Sequence, residues 1–251
     1  MKHTLFFAML LGLLTACGSN KDEDVFKGVF FDGVGGSTIP NTNNGLVLNL
    51  NFDESNTKDF SGNNNSAIIR GTVKLTTDRK GQANKAALFE SNGSLEVPHT
   101  NSLVFRNNVS VSFFFKMQSP ISDGCMIIKG DNTTMTAAMT FGALIIRSEN
   151  SFITHTFYQQ HIWALTPFNN NFGWQHFAMT LDGKNKKVYI NGNFVSASPI
   201  TGSLSLNTDA IRIGSTFSNG RYQNYFKGAL DEIRVYNRAL TDQEVSKLYQ
   251  Q

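Results

Sequence analysis

Cysteine is almost absent from this chain: two residues of the 251, Cys17 and Cys125, are cysteine. Two cysteines permit at most one disulfide, so a small domain stapled by several bridges is excluded. No cysteine–histidine spacing of a zinc site or of a cysteine hydrolase occurs either. Cys125 lies in the apolar run GCMIIKG, which predicts a buried, unreactive thiol.

Charge is also sparse. Charged residues make up 16% of the sequence, and the formal net charge is +3. So weak an excess of basic residues predicts that the chain binds neither nucleic acid nor an anionic membrane surface by charge. The nucleophile-elbow pattern Gly-x-Ser-x-Gly and the phosphate-loop pattern are missing as well.

The first residues have the pattern of a processed leader, which we place at residues 1–16. Lys2 and His3 precede an apolar run at 5–14, too short to span a bilayer comfortably, and Leu14-Thr15-Ala16-Cys17 closes it. This ending resembles the lipobox of bacterial lipoproteins, which implies cleavage before Cys17 and lipidation of that residue. An ordinary secreted protein with an incidental cysteine is the alternative. With Cys17 lipidated, Cys125 has no partner for an intramolecular disulfide.

Residues 17–44 are predicted to be the lipidated cysteine and a flexible tether, since they are polar and rich in Gly, Asn and Ser. Gly18 follows Cys17 where retention at the inner membrane would need Asp, so we expect the outer membrane. The run at 19–24 resembles a surface-export signal, or it is a solvated charge run, and the two remain open. Phe26, Phe30 and Phe31 either pack back on the domain, the simpler interpretation, or bind a membrane partner.

From residue 45 to the end, alternating apolar residues predict about a dozen short strands separated by Gly and Asn. Asn191-Gly192 is a strong two-residue hairpin turn. One helix is predicted over 241–249, where Thr241 and Glu244 form a capping box and Leu240 and Val245 a hydrophobic staple. The fold class is therefore all-β: an antiparallel two-sheet sandwich with one short C-terminal helix, in a single domain over 45–251.

The order of several short pieces resembles the laminin G-like jelly roll of the concanavalin A-like lectin/glucanase superfamily. The pieces are LNLNFD (48–53), DFSGN (59–63), ALF (87–89), LEVP (95–98), VSVSFFFK (109–116), WQHFAMT (174–180), VYING (188–192), FKG (226–228) and DEIRVY (231–236). The resemblance covers nearly all of 45–251. It implies two facing antiparallel sheets, a carbohydrate or protein ligand, and often one calcium ion.

The same resemblance also indicates whether the chain carries the catalytic residues of the superfamily's enzymes. Glucanases of the superfamily carry an E-x-D-x-E strand that puts two catalytic carboxylates on one face, and this chain has no such strand. The nearest acid pair, Asp231-Glu232, is expected to point to opposite faces. The chain is predicted not to be an enzyme.

A structural Ca²⁺ site is implied by the resemblance, with Asp59, Asn63 and Asp231 as its ligands. Strict alternation puts Asp231 on the same inward face as Ile233 and Val235, where a carboxylate needs a cation or several donors. Asp59 lies in a loop whose backbone carbonyls suit calcium. The alternative is that Asp59 caps its own turn and that Asp231 pairs with a Lys or Arg.

Two clusters of aromatic and polar residues are candidates for ligand binding. Aromatic rings beside amides suit sugars, because rings stack on CH faces and amides bond hydroxyls. The clusters consist of Tyr158, Trp163 and Phe168 in the first, and of Arg221, Tyr222 and Tyr225 in the second. Each ring could instead be a core or loop anchor, and Trp174, at the start of a core strand, is assigned to the core. His155 and His161, six residues apart in a loop-like segment, match no zinc motif.

Two functions follow from the sequence. The first is a non-catalytic, surface- or outer-membrane-tethered module that binds a glycan. The second is an adhesive or accessory module that docks an outer-membrane protein or another cell's surface.

Overall fold

The computed structural model describes residues 41–130, 139–146, 151–157, 161–167 and 172–251. The leader, Cys17 and the three tether phenylalanines lie outside these residues, as do Tyr158 and Phe168. Trp163 lies within a described strand, and its position is given by the backbone pairing.

Strands dominate the described part of the chain. In order they are β1 Leu46–Leu50, β2 Ile68–Arg70, β3 Val73–Thr76, β4 Ala86–Phe89, β5 Ser94–Val97, β6 Asn108–Met117, β7 Gly124–Gly130, β8 Met139–Ile146, β9 Ser151–Phe157, β10 His161–Pro167, β11 Gln175–Asp182, β12 Asn185–Ile190, β13 Asn193–Pro199, β14 Ile211–Ile213, β15 Thr216–Ser218, β16 Arg221–Gln223 and β17 Gly228–Tyr236. One helix, α1 Asp242–Gln250, follows the last strand.

The strands form two antiparallel sheets and one small hairpin. Sheet I has the order β13-β12-β11-β6-β17-β4-β3, with β1 also pairing with β17, and sheet II has the order β10-β9-β8-β7-β14-β5-β2. The third pairing joins β15 to β16. About half of the neighbouring strands in the two sheets are distant in sequence, as in a jelly roll, and the predicted fold class is confirmed.

The core lies between the two sheets and is built by alternation. In β6, one face carries Val109, Val111, Phe113, Phe115 and Met117, all of them buried in one cluster with residues of sheet II. Burying each large apolar side chain of this kind contributes about 1.5–3 kcal/mol. The alternating pattern that the sequence shows in this segment is therefore the inner face of sheet I.

Helix α1 docks on the outer face of sheet I. Thr241 Oγ1 accepts from the Glu244 N–H at 3.2 Å, and Glu244 Oε2 accepts from the Thr241 N–H at 2.8 Å, which confirms the capping box. The apolar side of the helix and the sheet form a second buried cluster, made of Ala178, Tyr189, Tyr236, Leu240, Val245 and Leu248. No helix in the described residues is long and apolar enough to span a membrane.

The last strand departs from the predicted alternation at Asp231. The register of β17 against β6 shifts between Asp231 and Arg234, and Glu232 adopts a φ of 51°. Such a bulge inserts one extra residue, so the residues on either side of it no longer alternate. Asp231 pairs with Phe114 on the outer face of sheet I, whereas Ile233 and Val235 enter the core. The prediction that Asp231 shares their inward face was wrong.

Candidate functional site

Asp59, the first predicted calcium ligand, already has its oxygens engaged within its own loop. Oδ1 accepts from the N–H groups of Asn49 and Ser61, each at 2.9 Å. Oδ2 accepts from Ser61 Oγ and from the Asn65 N–H, each at 2.8 Å. This is the capping alternative, in which the carboxylate holds the loop 59–65 against β1.

Asn63 does not direct its side chain towards an ion. Its Nδ2 donates to the Leu46 carbonyl and to Ser61 Oγ, each at 3.1 Å. The side-chain amide therefore ties the same loop to β1, next to the bonds that Asp59 accepts.

Asp231 is 3% exposed, and Oδ1 accepts one hydrogen bond, from the Glu232 N–H at 2.7 Å. Burial, with the nearby carboxylates of Glu232, Asp78 and Asp53, raises the pKa of Asp231 to about 8. In the described residues, no group of three or more His, Cys, Asp or Glu could hold a metal ion. Asp59 has both oxygens engaged in its loop, and Asp231 lies on the outer face of sheet I. A calcium ion shared by the two stays a prediction, which a fall in melting temperature on chelation, abolished by Asp231→Ala, would establish.

A continuous row of residues crosses all seven strands of sheet II on its outer face. Through successive pairings the row runs Ile68, Glu96, Arg212, Ile128, Gly142, His155 and Trp163. Its members alternate along their strands with core residues such as Leu95, Ile211 and Ile127. At about 4.8 Å per strand, the row extends about 24 Å from Glu96 to Trp163. We call it the sheet II row.

The charged end of the sheet II row is held by Tyr222. The Tyr222 hydroxyl donates to Glu96 Oε2, and Arg70 Nη2 lies 2.8 Å from Glu96 Oε1. Arg212 Nε lies 3.8 Å from Glu96 Oε2. Although burial opposes it, the hydrogen bonds from Tyr222 and Arg70 lower the pKa of Glu96. A carboxylate and two guanidinium groups thus stay charged at this end.

The hairpin β15–β16 folds over this charged end. Phe217 and Tyr222, which pair in the hairpin, make an edge-to-face contact with ring centroids 5.0 Å apart. The Arg212 guanidinium lies over the Phe217 ring at 4.4 Å. Arg221 is exposed at the tip of the hairpin. Tyr222 is therefore an anchor through its hydroxyl, while its half-buried ring stays at the surface.

Tyr225 and Cys125 connect this hairpin to β7. Tyr225 forms a parallel bridge with Cys125, whose N–H donates to the Asn224 carbonyl at 2.9 Å. Cys125 is fully buried, as predicted, and burial raises the pKa of its thiol. Tyr225 is half buried, so its role is to hold the hairpin in place beside the row.

The far end of the sheet II row is a hairpin of two strands: residues 151–157 form a strand as their alternation predicts, and His161, expected in a loop-like segment, begins the second. Residues 151–157 and 161–167 pair as β9 and β10, with Trp163 opposite His155 and His161 opposite Phe157. Trp163 is the one residue of its predicted cluster within the described part of the chain, and it ends the row whose opposite end Tyr222 contacts through Glu96. Gly142 in the middle of the row leaves no side chain between Ile128 and His155.

A buried lysine that the sequence analysis missed crosses from sheet I to this hairpin. Lys186 in β12 is 1% exposed, and its Nζ donates to the Thr154 carbonyl at 2.9 Å. Burial lowers the pKa of Lys186 to about 7. The contact fixes β9 one residue before His155. A lysine in a polar stretch of sequence gives no signal of such burial.

Trp174 is also placed differently from the prediction. It is half buried at the start of β11 and does not belong to any core cluster of the described residues. A tryptophan next to a core strand was taken for a core residue, but the core face of β11 begins with Gln175.

Comparison with known proteins agrees with this architecture. The protein-family profile described as the concanavalin A-like lectin/glucanases superfamily, of laminin G type, matches residues 89–246. Botulinum neurotoxin type X of Clostridium botulinum is 25% identical over 217 residues, which are 81% of this chain and 16% of the toxin. This chain thus spans about a sixth of the length of that relative.

Two solved structures are similar in fold. The binding domain of Paraclostridial Mosquitocidal Protein 1 gives a TM-score of 0.68 at 19% identity, covering 83% of this chain and 52% of that one. Domain 4 of AbnA, a GH43 extracellular arabinanase from Geobacillus stearothermophilus, was solved with arabinotriose. It gives a TM-score of 0.62 at 21% identity, covering 81% of this chain and 98% of that one. With two facing antiparallel sheets and a profile match over more than half of its length, the chain belongs to the concanavalin A-like lectin/glucanase superfamily.

Proposed function

We propose that this protein is a non-catalytic, lipid-anchored lipoprotein of the outer membrane that binds a neutral glycan across the sheet II row. The observation that supports the proposal is the strand register, through which Trp163 and Glu96, the partner of Tyr222, belong to one cross-strand row. The sheet II row is about 24 Å long, which is the span of several sugar units. Anchoring through Cys17 would hold this surface at the membrane.

The chemistry of the row suits a sugar chain. An aromatic residue at each end can stack on the CH face of a sugar ring, and the charged side chains of Glu96, Arg70 and Arg212 can bond its hydroxyls. The arabinanase domain with a similar fold was solved with arabinotriose, and nearly all of that chain is covered. The missing E-x-D-x-E strand supports binding without hydrolysis.

The test is a glycan array followed by calorimetry on the full chain in detergent. Trp163→Ala is expected to weaken binding of a neutral oligosaccharide about tenfold, the equivalent of one lost stacking contact. Phe194→Ala is the matched control, because Phe194 is 53% exposed on β13 of the other sheet. Equal losses in the two variants, or a silent array, would count against the glycan.

A protein partner is the second candidate, and a different surface favours it. Phe194 and Val195 are 53% and 44% exposed on β13, an edge strand of sheet I whose outer side has no paired strand in the described residues. Open edges can accept a strand from a partner. A toxin binding domain of similar fold, at 16% identity and a TM-score of 0.64, was solved with rat synaptotagmin II. The test is cross-linking to an outer-membrane protein. Cross-linking that is abolished by Phe194→Ala and unchanged in Trp163→Ala would favour this candidate.

The anchor is tested separately. Labelled palmitate should be incorporated into the full chain, and Cys17→Ser should abolish this incorporation. Protease treatment of intact cells then distinguishes the two sides of the outer membrane: degradation indicates the cell surface, and protection indicates the periplasm.

A further inference from the structure

A groove on the outer face of sheet I lies beyond the reach of helix α1. It has a volume of about 390 Å³ and is lined mainly by Thr76, Thr77, Leu88, Lys116, Gln118 and Ala229. The side chains combine an apolar floor with hydroxyl, amide and ammonium groups. This is the mixture that small-ligand sites use, in which apolar surface gives contact and a few polar groups give orientation.

The strand register explains why a groove forms here. Lys116 pairs with Ala229, Ala229 with Leu88, and Leu88 with Lys74, so these residues form one row across four strands. Ala229 has the smallest side chain of the row and lies between two long ones. Gly228, at φ 152°, lets β17 approach β6 closely, since a Cβ there would lie 2.3 Å from the Lys116 carbonyl oxygen.

The groove has a positive charge that no described acid neutralises. Lys116 is exposed, and in the described residues no carboxylate lies within ion-pair distance of its Nζ; the same holds for Lys227 next to the groove. Lys74, at the far end of the row, is paired with Glu90 at 2.6 Å. An unpaired ammonium beside hydroxyl and amide groups suits a ligand that carries both a carboxylate and hydroxyls.

We propose that this groove binds a carboxylate-bearing sugar unit of an acidic polysaccharide, with Lys116 taking the carboxylate and Thr76, Thr77 and Gln118 the hydroxyls. The site lies on the sheet opposite the sheet II row and does not depend on it. The protein would then have two glycan sites of different charge preference, facing away from each other.

The test measures binding of tetragalacturonate and of its methyl ester to the full chain by calorimetry. Lys116→Gln removes the charge and keeps most of the length, so the acid should bind about tenfold more weakly while the ester is unaffected. Lys184→Gln is the matched control: it makes the same charge change at an exposed position in the β11–β12 turn. Lys116→Arg should retain most of the affinity.

Three results would overturn the proposal: equal affinity for the acid and the ester, equal losses in Lys116→Gln and Lys184→Gln, or no binding of the acid by the unmodified protein. Trp163→Ala separates this site from the sheet II row. It should leave binding of the acid unchanged, and a tenfold loss in that variant would assign the acid to the other face. Thermal melting of each variant checks that it is folded.

Discussion

The cross-strand rows on the outer faces of the two sheets differ in charge: the ionisable side chains on sheet I are neutral, and those on sheet II are charged. On sheet I, Asp231, Phe114 and His176 form one cross-strand row, and all three are at most 3% exposed. Burial, with Glu232 and two other acids, raises the pKa of Asp231 to about 8; burial, with Arg234 and Arg79, lowers the pKa of His176 to about 3. Both groups are thus neutral over much of the range between.

On sheet II, the corresponding row keeps its charges. Glu96 accepts from Tyr222 and Arg70, and these bonds outweigh burial and lower its pKa. The difference follows from what covers each face. The chain covers sheet I with helix α1, whose Tyr249 ring stacks on Phe114 at 6.4 Å, whereas over the sheet II row the described cover is a short hairpin. The covered face of sheet I contributes stability, whereas the sheet II row ends in a charged group, Glu96, beside the exposed Arg70, which a ligand can contact.

The largest effect should come from uncovering sheet I. Leu248→Ala removes a fully buried side chain of the helix–sheet cluster, and we expect a loss of about 2–5 kcal/mol in the free energy of unfolding. Chemical denaturation measures it. Tyr249→Ala, at a residue 41% exposed, is the control and should cost clearly less. Equal losses would mean that the helix does not stabilise the face by burial.

The next effect is a pH dependence of sheet I. The pKa of Asp231 is raised on folding to about 8 from about 3.9, so the native state holds a proton that the unfolded state has lost between these values. Stability is therefore lost as the pH rises from about 4 to about 8, by an amount on the order of 2 kcal/mol after relaxation. Asp231→Asn should remove this loss. Unfolding curves of the two proteins at pH 4.5 and 8 measure the loss. An equal loss of stability in both proteins would contradict the prediction.

Helix capping should have a smaller effect. Thr241→Ala removes the acceptor for the Glu244 N–H and is expected to cost about 1 kcal/mol of stability. Thr241→Ser keeps the acceptor and serves as the control. Glycan affinity, measured by calorimetry, should be the same in both variants, since the cap lies on the covered face.

The smallest stability effect should come from the open face, where binding should change instead. Tyr222→Phe removes one hydrogen bond to Glu96 and should cost about 1 kcal/mol or less, because Arg70 still pairs with that carboxylate. Affinity for the neutral glycan should nevertheless fall several-fold, as Glu96 loses its fixed orientation. Thr241→Ala has a similar cost in stability, so a matching fall in affinity there would mean that binding only reports stability.

Local patterns in the sequence predicted much of the fold. The alternation of β6, the capping box of α1 and the hairpin turn at Asn191-Gly192 depend on neighbouring residues, and each is found in the structure. The inward position of Asp231 failed because one residue with a left-handed φ at Glu232 shifts the register. A bulge of this kind depends on the partner strand, which the sequence of β17 does not contain.

Single residues of the candidate site could be predicted from the sequence, but their positions relative to one another could not. Trp163 and Tyr222 were singled out separately, because aromatic residues beside polar ones are visible locally. Their relation follows from five successive strand pairings that connect Trp163 to Glu96, of which the two made by β14 join segments far apart in the chain. The hydroxyl bond from Tyr222 to Glu96 is likewise a contact across 126 residues. The misplacement of Trp174 has the same origin, since its surroundings are set by a neighbouring strand.

Hydrogen–deuterium exchange of the full chain, with and without the neutral oligosaccharide that binds best on the array, shows directly whether the glycan binds at the sheet II row. We predict slower exchange in β8, β9, β10 and the hairpin β15–β16, with no change in α1 or in β12. Protection confined to the strands of sheet I or to the helix would contradict it, because the neutral oligosaccharide would then not bind at the sheet II row.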